Sequence, residues 1–550
     1  MSIPQSTGPN SRLAGLRQHF KADALSGFLV FLIALPLCLA ISKASGFPPV
    51  SGILTAIIGG LVVTFFGGSE LTIKGPAAGL IVIAVGAVDE LGRGDALRGY
   101  HLTLAVVVVA GIIQIIFGLL RTGLLSDFFP AAAVRGMMAS IGITVIIKQL
   151  FVLVGVKPEA KETLRLIGEI PHVFTSYNPD ILVIGVVSLT LLFGIPLISN
   201  TYIQKIPVPL AVLLVAIPLG RYFGLGHAHS YLFLNHHPYQ LGPDFLVKLP
   251  GQLIDAITFP DFSQVFSGTS IKYIAMFALV GSLESLLSTK AIDMMDPSRR
   301  KSNMNRDLLG VGVGNTLAGL VGGLPMISEI VRSSANVNNG AQTRWANFFH
   351  GLFLLLFVAF AARLLSQIPL AALAAMLIYT GFRLAAPKEF VHIFRIGGEQ
   401  LVIFLVTIFV SLGTDLLLGI GAGILTKLII HLFRGLPLRS IFNASVEIEA
   451  AEDGSYQHVT VHDAAVFSNF ISLKNRLEAL PIGQHIVIDL SQTQLVDHTV
   501  LENLTRFQQD YAAAGGYAEL VGLEGHTPVS AYPTAARVRT KEVITLTPSA

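Results

Sequence analysis

Apolar residues run along this chain in long blocks. The blocks fall at 24–42, 50–66, 76–90, 101–120, 130–151, 179–199, 208–224, 268–288, 307–322, 326–337, 344–366, 369–382, 398–413 and 415–433. A helix needs about 20 residues to cross the hydrocarbon of a bilayer, and most of the blocks suffice. Two fall short. The third opens abruptly at Lys74-Gly75-Pro76-Ala77-Ala78-Gly79, and the tenth opens at Gly323-Leu324-Pro325 and loses its apolar character by Asn336. Both read as half-helices that begin at a proline, the residue suited to a first helical turn. They hold the same rank, third in the first seven blocks and third in the next seven. Paired short segments interrupted by Gly and Pro point to a binding site at the bilayer midplane. The pattern predicts an α-helical polytopic membrane protein of 14 segments in a 7+7 inverted repeat.

After Leu436 the pattern changes. "YQHVTVH", "HIVIDLS" and "YAELVGL" read as strands, and "ISLKNRLEAL" and "TVLENLTRFQQDYAAAG" as amphipathic helices. The expected organisation is a cytoplasmic segment 1–22, a membrane domain 23–435 and a soluble α/β domain 436–550. Basic residues in short loops orient the spans. Arg12, Arg17 and Lys21, the run Lys290 to Arg306, then Arg383, Lys388, Arg395, Arg434 and Arg439 fall on one side. Both termini are therefore expected in the cytoplasm and loop 225–267 outside, in a cell (inner) membrane.

Composition sharpens this picture. Only 13% of the 550 residues are charged, against about 25% in soluble domains, and the mean hydropathy is +0.68. The net charge of +3 gives no footprint for nucleic acid. The single cysteine, Cys38, excludes an intramolecular disulfide and a cysteine metal cluster. It stands in LPLC, but Pro36 and Leu37 occupy places where a lipoprotein signal has small residues. Cys38 is expected in lipid or core, and 24–42 is expected as the first transmembrane helix, too long for a signal h-region. No phosphate-cradling loop, metalloprotease helix or Ser-His-Asp arrangement stands out, so neither catalysis nor a cofactor is expected.

The two breaks carry the candidate chemistry. Each half-helix N-terminus offers unpaired N–H groups and a positive dipole end, a natural place for an anion. Gly75 and Gly323 precede the tips and permit close approach. Glu329 and Arg332 share one helical face, either as a local ion pair or as a site. Arg332 would add positive field, whereas Glu329 would oppose it unless protonated or paired, which makes it a candidate coupler. Glu284 is a lone carboxylate in an apolar span with Ser288 one turn later, placed to carry a proton or hold a cation. Asp415 reads as a helix cap, and Gly419, Gly421 and Gly423 as close-packing positions. His227, His229, His236 and His237 cluster in the outer loop without metal-site spacing.

These features resemble the sulfate permease (SulP) family, which includes animal anion exchangers and prestin. The resemblance rests on "ALPLCLAISKASGFPPVSGILTAIIGG", "LTIKGPAAGL", "GNTLAGLVGGLP", "VRSSANVNNGAQT" and "TDLLLGIGAG", and on "HIVIDLSQTQLVDHTVLENL", which is similar to a STAS domain core. It implies core and gate domains, a homodimer and elevator-like movement. It also implies a substrate between the third-helix tip (Gly75, Pro76, Ala77, Ala78) and the tenth-helix tip (Ser328, Glu329, Ile330), with Arg332 at a basic position. Glu284 matches an acidic position tied to sodium in bicarbonate members and to protons in others. Glu329 departs from the pattern, because bicarbonate members carry a small residue there. Regulatory STAS relatives place a phosphorylatable Ser or Thr directly after the Asp. Here His498 separates Asp497 from Thr499, so a scaffold or dimer role is expected. For Thr499 the bland reading is a helix-start residue.

The expected function is secondary active transport of a small oxyanion, bicarbonate or sulfate, coupled to bound Na+ or H+ through Glu284, Ser288 or Glu329. The expected partners are a small anion, the lipid bilayer and a second copy of the chain, with the STAS domain as a candidate dimer contact. A C4-dicarboxylate is the next substrate class. A zwitterion or proton-coupled nucleobase, an anion channel or motor, and an anion sensor remain alternatives.

Overall fold

The computed structural model describes residues 12–124, 129–160, 163–200, 207–233, 237–248, 254–450, 456–481, 483–513 and 515–540. The chain divides into two compact units. One comprises Ser6–Gly123 and Met138–Ala385, and the other includes Leu124–Met137 and Ala386–Ala550.

The first unit opens with α1 (Arg12–Ala44), α2 (Pro49–Leu61) and a short α3 (Val63–Phe66). A strand β1 (Ile73–Pro76) and a 3-10 turn (Ala78–Leu80) lead into α4 (Ile81–Gly92). Then come α5 (Ala96–Leu119), α6 (Ala131–Leu153, which begins in the other unit), α7 (Thr163–Ser176), α8 (Pro179–Gly194) and α9 (Val208–Tyr222). An antiparallel hairpin of β2 (His229–Phe233) and β3 (His237–Leu241) precedes α10 (Gly268–Met295) and α11 (Met304–Leu320). β4 (Met326–Glu329) runs straight into α12 (Ile330–Asn338), followed by α13 (Trp345–Leu365) and α14 (Leu370–Leu384). Among the described residues eight helices are long and apolar enough to cross a membrane by length and composition. The protein is a multi-pass membrane protein. Side chains such as Leu119, Leu214 and Phe360 lie exposed on its helices.

Small residues let the helices of this unit touch backbone to backbone. A Cβ on Gly111 of α5 would meet the Thr316 backbone of α11, and one on Gly312 would meet the Ile115 nitrogen, each at 2.6 Å. Gly60 and Gly351 hold α2 against α13 in the same way.

The two breaks differ from expectation. Pro76 and Pro325 do not start helices. The segments around them are extended, and β1 pairs antiparallel with β4 in the register Ile73↔Glu329, Lys74↔Ser328, Gly75↔Ile327 and Pro76↔Met326. The α-helices begin only at Ile81 and Ile330. The reason is the cost of bare backbone away from water. An extended break in the interior needs partners, and each break supplies them to the other. Side chains complete the set. Asn347 Oδ1 accepts from Lys74 N–H (3.1 Å), Ser333 Oγ from Ile73 N–H (2.8 Å) and Asn315 Oδ1 from Met326 N–H (2.6 Å). Ala77 N–H donates to Pro325 C=O at 3.2 Å.

The second unit carries α15 (Pro387–Ile396), α16 (Gly398–Gly413), α17 (Leu416–Phe433) and α18 (Leu438–Phe442). A seven-stranded sheet follows, built from β5 (Ser445–Ala450), β6 (Tyr456–Ala465), β7 (His485–Asp489), β8 (Thr493–Val496), β9 (Tyr517–Val521), β10 (His526–Pro528) and β11 (Arg537–Arg539). The order is β10-β11-β8-β6-β7-β9, with β5 antiparallel on β6 and parallel pairing at β6–β7, β6–β8 and β7–β9. α19 (Phe470–Glu478) and α20 (His498–Ala513) pack Leu473, Leu477, Val500 and Leu504 onto Val459, Val461, Ile486 and Ile488. The expected strands fall on β6, β7 and β9 and the expected helices on α19 and α20. β5, β8, β10 and β11 lie outside the expected strands.

Candidate binding site

Arg332 lies in the first turn of α12, beside the paired breaks. It is 1% exposed, and none of its three guanidinium nitrogens has a hydrogen-bond partner among the described residues. A buried charge is normally paired. Gly75 makes room for it, because a Cβ there would fall on Nη1. Cys38 of α1 is fully buried beside the same guanidinium, and His350 of α13, also buried, has both ring nitrogens unpartnered among the described residues.

Glu329 and Arg332 are not joined by a hydrogen bond. Glu329 is instead the N-cap residue of α12, with extended backbone and no bond to its own helix. Its Oε1 accepts from the Ala78 N–H at 3.4 Å, at the head of the opposite half-segment. Glu284 of α10 meets that same head. Its carboxylate lies against Gly79, where a Cβ would overlap both oxygens, and Oε2 has no hydrogen-bond partner among the described residues. Thus the two carboxylates face the N–H groups expected to receive an anion. Ile330 is the first residue of α12, and Ala77 hydrogen-bonds Pro325.

Behind this face lies a polar network that sequence reasoning missed. The Lys74 ammonium donates to both Asp307 oxygens at 2.7 Å and to Ser328 Oγ. Ser328 Oγ is 3.1 Å from Ser285 Oγ, 3.1 Å from Thr289 Oγ1 and 3.0 Å from Asp307 Oδ2, while Thr289 Oγ1 reaches Asp307 Oδ2 at 3.0 Å. Lys74 and Asp307 are 2% and 0% exposed. Ser288 is buried on α10 between these partners, and the hydroxyls that reach β4 are those of Ser285 and Thr289. A lysine directly before Gly75-Pro76 and an aspartate at the head of an apolar block were the available signals.

In the second unit Asp415 caps α17, accepting from Leu418 N–H at 2.9 Å. Side chains at Gly419 and Gly423 would run into Ser411 and Thr407 of α16, whereas Gly421 faces open space. Asp497 caps α20 by accepting from Val500 N–H at 2.8 Å, and it also accepts from Phe467 N–H at 2.8 Å. It lies 3.7 Å from Lys427 Nζ and 3.8 Å from His431 Nε2 of α17. Thr499 is buried at the start of α20, and its Oγ1 accepts from Ala131 N–H at 3.5 Å. Of the four histidines at 227–237, His236 lies outside the described residues, and the His229 ring is 3.0 Å from the His227 carbonyl. Among the described residues no group of three or more His, Cys, Asp or Glu side chains is placed to hold a metal ion.

Paired, interrupted segments with buried charges inside a helical membrane unit are the arrangement that points to a membrane transporter. A model of the sulfate permease family matches residues 20–407, and the chain belongs to that family. It is a membrane anion transporter and not an enzyme. Over 464 residues it is 26% identical to the putative sulfate transporter YvdB of Bacillus subtilis (strain 168), covering 84% of this chain and 83% of that one. It is 24% identical to the bicarbonate transporter BicA of Picosynechococcus sp. (strain ATCC 27264 / PCC 7002 / PR-6), covering 77% and 72% of the two chains. The fold is shared with SLC26A9, at a TM-score of 0.65 and 15% identity over 94% of this chain and 86% of that one.

Proposed function

We propose that the chain is a secondary active transporter of a small inorganic oxyanion, bicarbonate or sulfate. The anion binds between Arg332, the segment Gly75 to Ala78 and the segment Ser328 to Ile330. The observation that carries this reading is the Arg332 guanidinium, buried without a hydrogen-bond partner among the described residues. An oxyanion meets its planar fork of donors with two parallel charge-assisted bonds. Similarity to a putative sulfate transporter and to a bicarbonate transporter supports the substrate class.

Glu329 and Glu284 add a condition. Both face the α4 head, so an incoming anion meets two carboxylates unless a cation accompanies it. A proton or sodium ion held at Glu284, Ser288 or Glu329 couples the two movements. The same carboxylates favour a second reading, a proton-coupled zwitterion or nucleobase. A C4-dicarboxylate is less suited to one guanidinium. Residues 23–435 form the transport domain, moving elevator-fashion as core against gate. Residues 436–550 form a STAS domain that serves dimerisation, and both termini are cytoplasmic in the inner membrane.

The test is uptake into proteoliposomes of labelled bicarbonate, sulfate, fumarate and uracil, with and without sodium and at two pH values. The expected result is concentrative uptake of an oxyanion, lost by about a hundredfold or more in Arg332→Ala, the worth of two charged hydrogen bonds. Gradient-independent conductance, or uptake unchanged in Arg332→Ala, would reject this reading.

A further inference from the structure

We propose that Lys74 supplies the cation of this site from the chain itself. Its ammonium fills an oxygen cradle between β1, β4, α10 and α11 that would otherwise suit a sodium ion, so transport needs no sodium. The inference rests on the transport reading above and narrows its coupling ion to the proton.

The cradle is made only of hard oxygen donors, the class that small metal cations prefer. They are the two Asp307 oxygens and the hydroxyls of Ser285, Thr289 and Ser328. An ammonium has three protons and no acceptor, and all three are used, on Asp307 Oδ1, Asp307 Oδ2 and Ser328 Oγ. The charge is fixed in register, because Lys74 is the strand partner of Ser328 and its N–H is held by Asn347. One carboxylate faces one ammonium, so a metal ion entering the same oxygens would add an uncompensated charge to a buried site. The cradle also joins both breaks to α10, the helix that carries Glu284. A bound cation would be expected to join those parts, and here the chain joins them permanently. Glu284 and Glu329, outside the cradle, remain to carry the exchangeable proton.

Lys74→Ala removes the tethered cation and leaves Asp307 with its ring of hydroxyls. The variant should then take sodium or lithium from solution. Purified wild type, Lys74→Ala and the charge-neutral Lys74→Met/Asp307→Asn are compared in sodium, lithium and N-methyl-D-glucamine salts. Thermal unfolding and uptake of labelled bicarbonate and sulfate are measured. Wild-type uptake is expected to be equal in sodium and N-methyl-D-glucamine. Lys74→Ala is expected to gain a sodium- and lithium-dependent rise in unfolding temperature, and to recover uptake by about tenfold as the site saturates. The neutral double variant is expected to respond to neither ion. Wild-type uptake that collapses without sodium would overturn the proposal even if Lys74→Ala cannot be purified. So would a folded Lys74→Ala protein blind to sodium and lithium. A wild type that moves no labelled anion in any salt rejects the transport reading itself, whereas sodium-dependent uptake rejects only the role of Lys74.

Discussion

Lys74 and Arg332 are both buried cations, and they approach adjacent positions of one short strand. The Lys74 side chain leaves one face of β1 and ends on Asp307, while Arg332 fills the place where a Gly75 side chain would stand. Successive strand residues point to opposite faces, so the strand separates the two charges. One cation is saturated with acceptors and the other has none among the described residues. A saturated buried pair fixes geometry, because removing either partner leaves a lone charge. An unsatisfied one stores a demand for an anion. The first is framework, and the second is the binding element of the proposed anion site.

That contrast can be broken by exchanging the fates of the two charges. Asp307→Asn should lower stability by about 3–5 kcal/mol, the cost of stranding one member of a buried pair. Arg332→Ala should lower it by less, since its guanidinium nitrogens have no hydrogen-bond partner among the described residues. Unfolding in detergent checks both, and equal destabilisation would erase the distinction. A smaller effect is expected at Gly75. Gly75→Ala places a methyl on Nη1 and should raise the KM for the anion by about tenfold, equivalent to ~1.4 kcal/mol, with the unfolding midpoint little changed. Uptake kinetics decide it.

The smallest expected effect lies at the start of α20. His498 is buried, with Nδ1 2.7 Å from the Thr534 carbonyl, and burial pushes its pKa below the ordinary imidazole value. The folded state therefore holds fewer protons than the unfolded one. Stability should fall as pH drops through the usual range near about 6.5. His498→Gln should flatten that slope in full-length protein, and an unchanged slope would remove His498 as its origin.

The carboxylates teach a related lesson. Glu329 and Arg332 stand one helical turn apart, and helical spacing alone leaves an ion pair as one reading. The structure turns Glu329 away to the Ala78 N–H, because as N-cap residue it has extended backbone and its side chain leaves the helix. Spacing rules hold inside a helix and fail at its first residue. For the same reason Pro76 and Pro325 misled. Proline suits a helix start and an extended segment equally, and only a partner strand decides between them.

Much was legible in one dimension. Hydrophobic block length, the equal rank of two short segments and the change of pattern after Leu436 are local properties, and they gave the membrane class, the breaks and the α/β character of the C-terminal part. Arg332 and Glu284 were visible because a charge in an apolar block is costly and therefore stands out. What the sequence could not show is which distant groups satisfy which. Lys74 and Asp307 are 233 residues apart, and Ile73 and Glu329 pair across a still longer separation. Each residue announces a need for a partner, but the partner is chosen by three-dimensional packing, since hydrogen bonds act over ångströms and not along the chain. Sequence by itself determined where the charges and breaks lie. Tertiary structure alone decided that one cation is satisfied and that the other has no hydrogen-bond partner among the described residues.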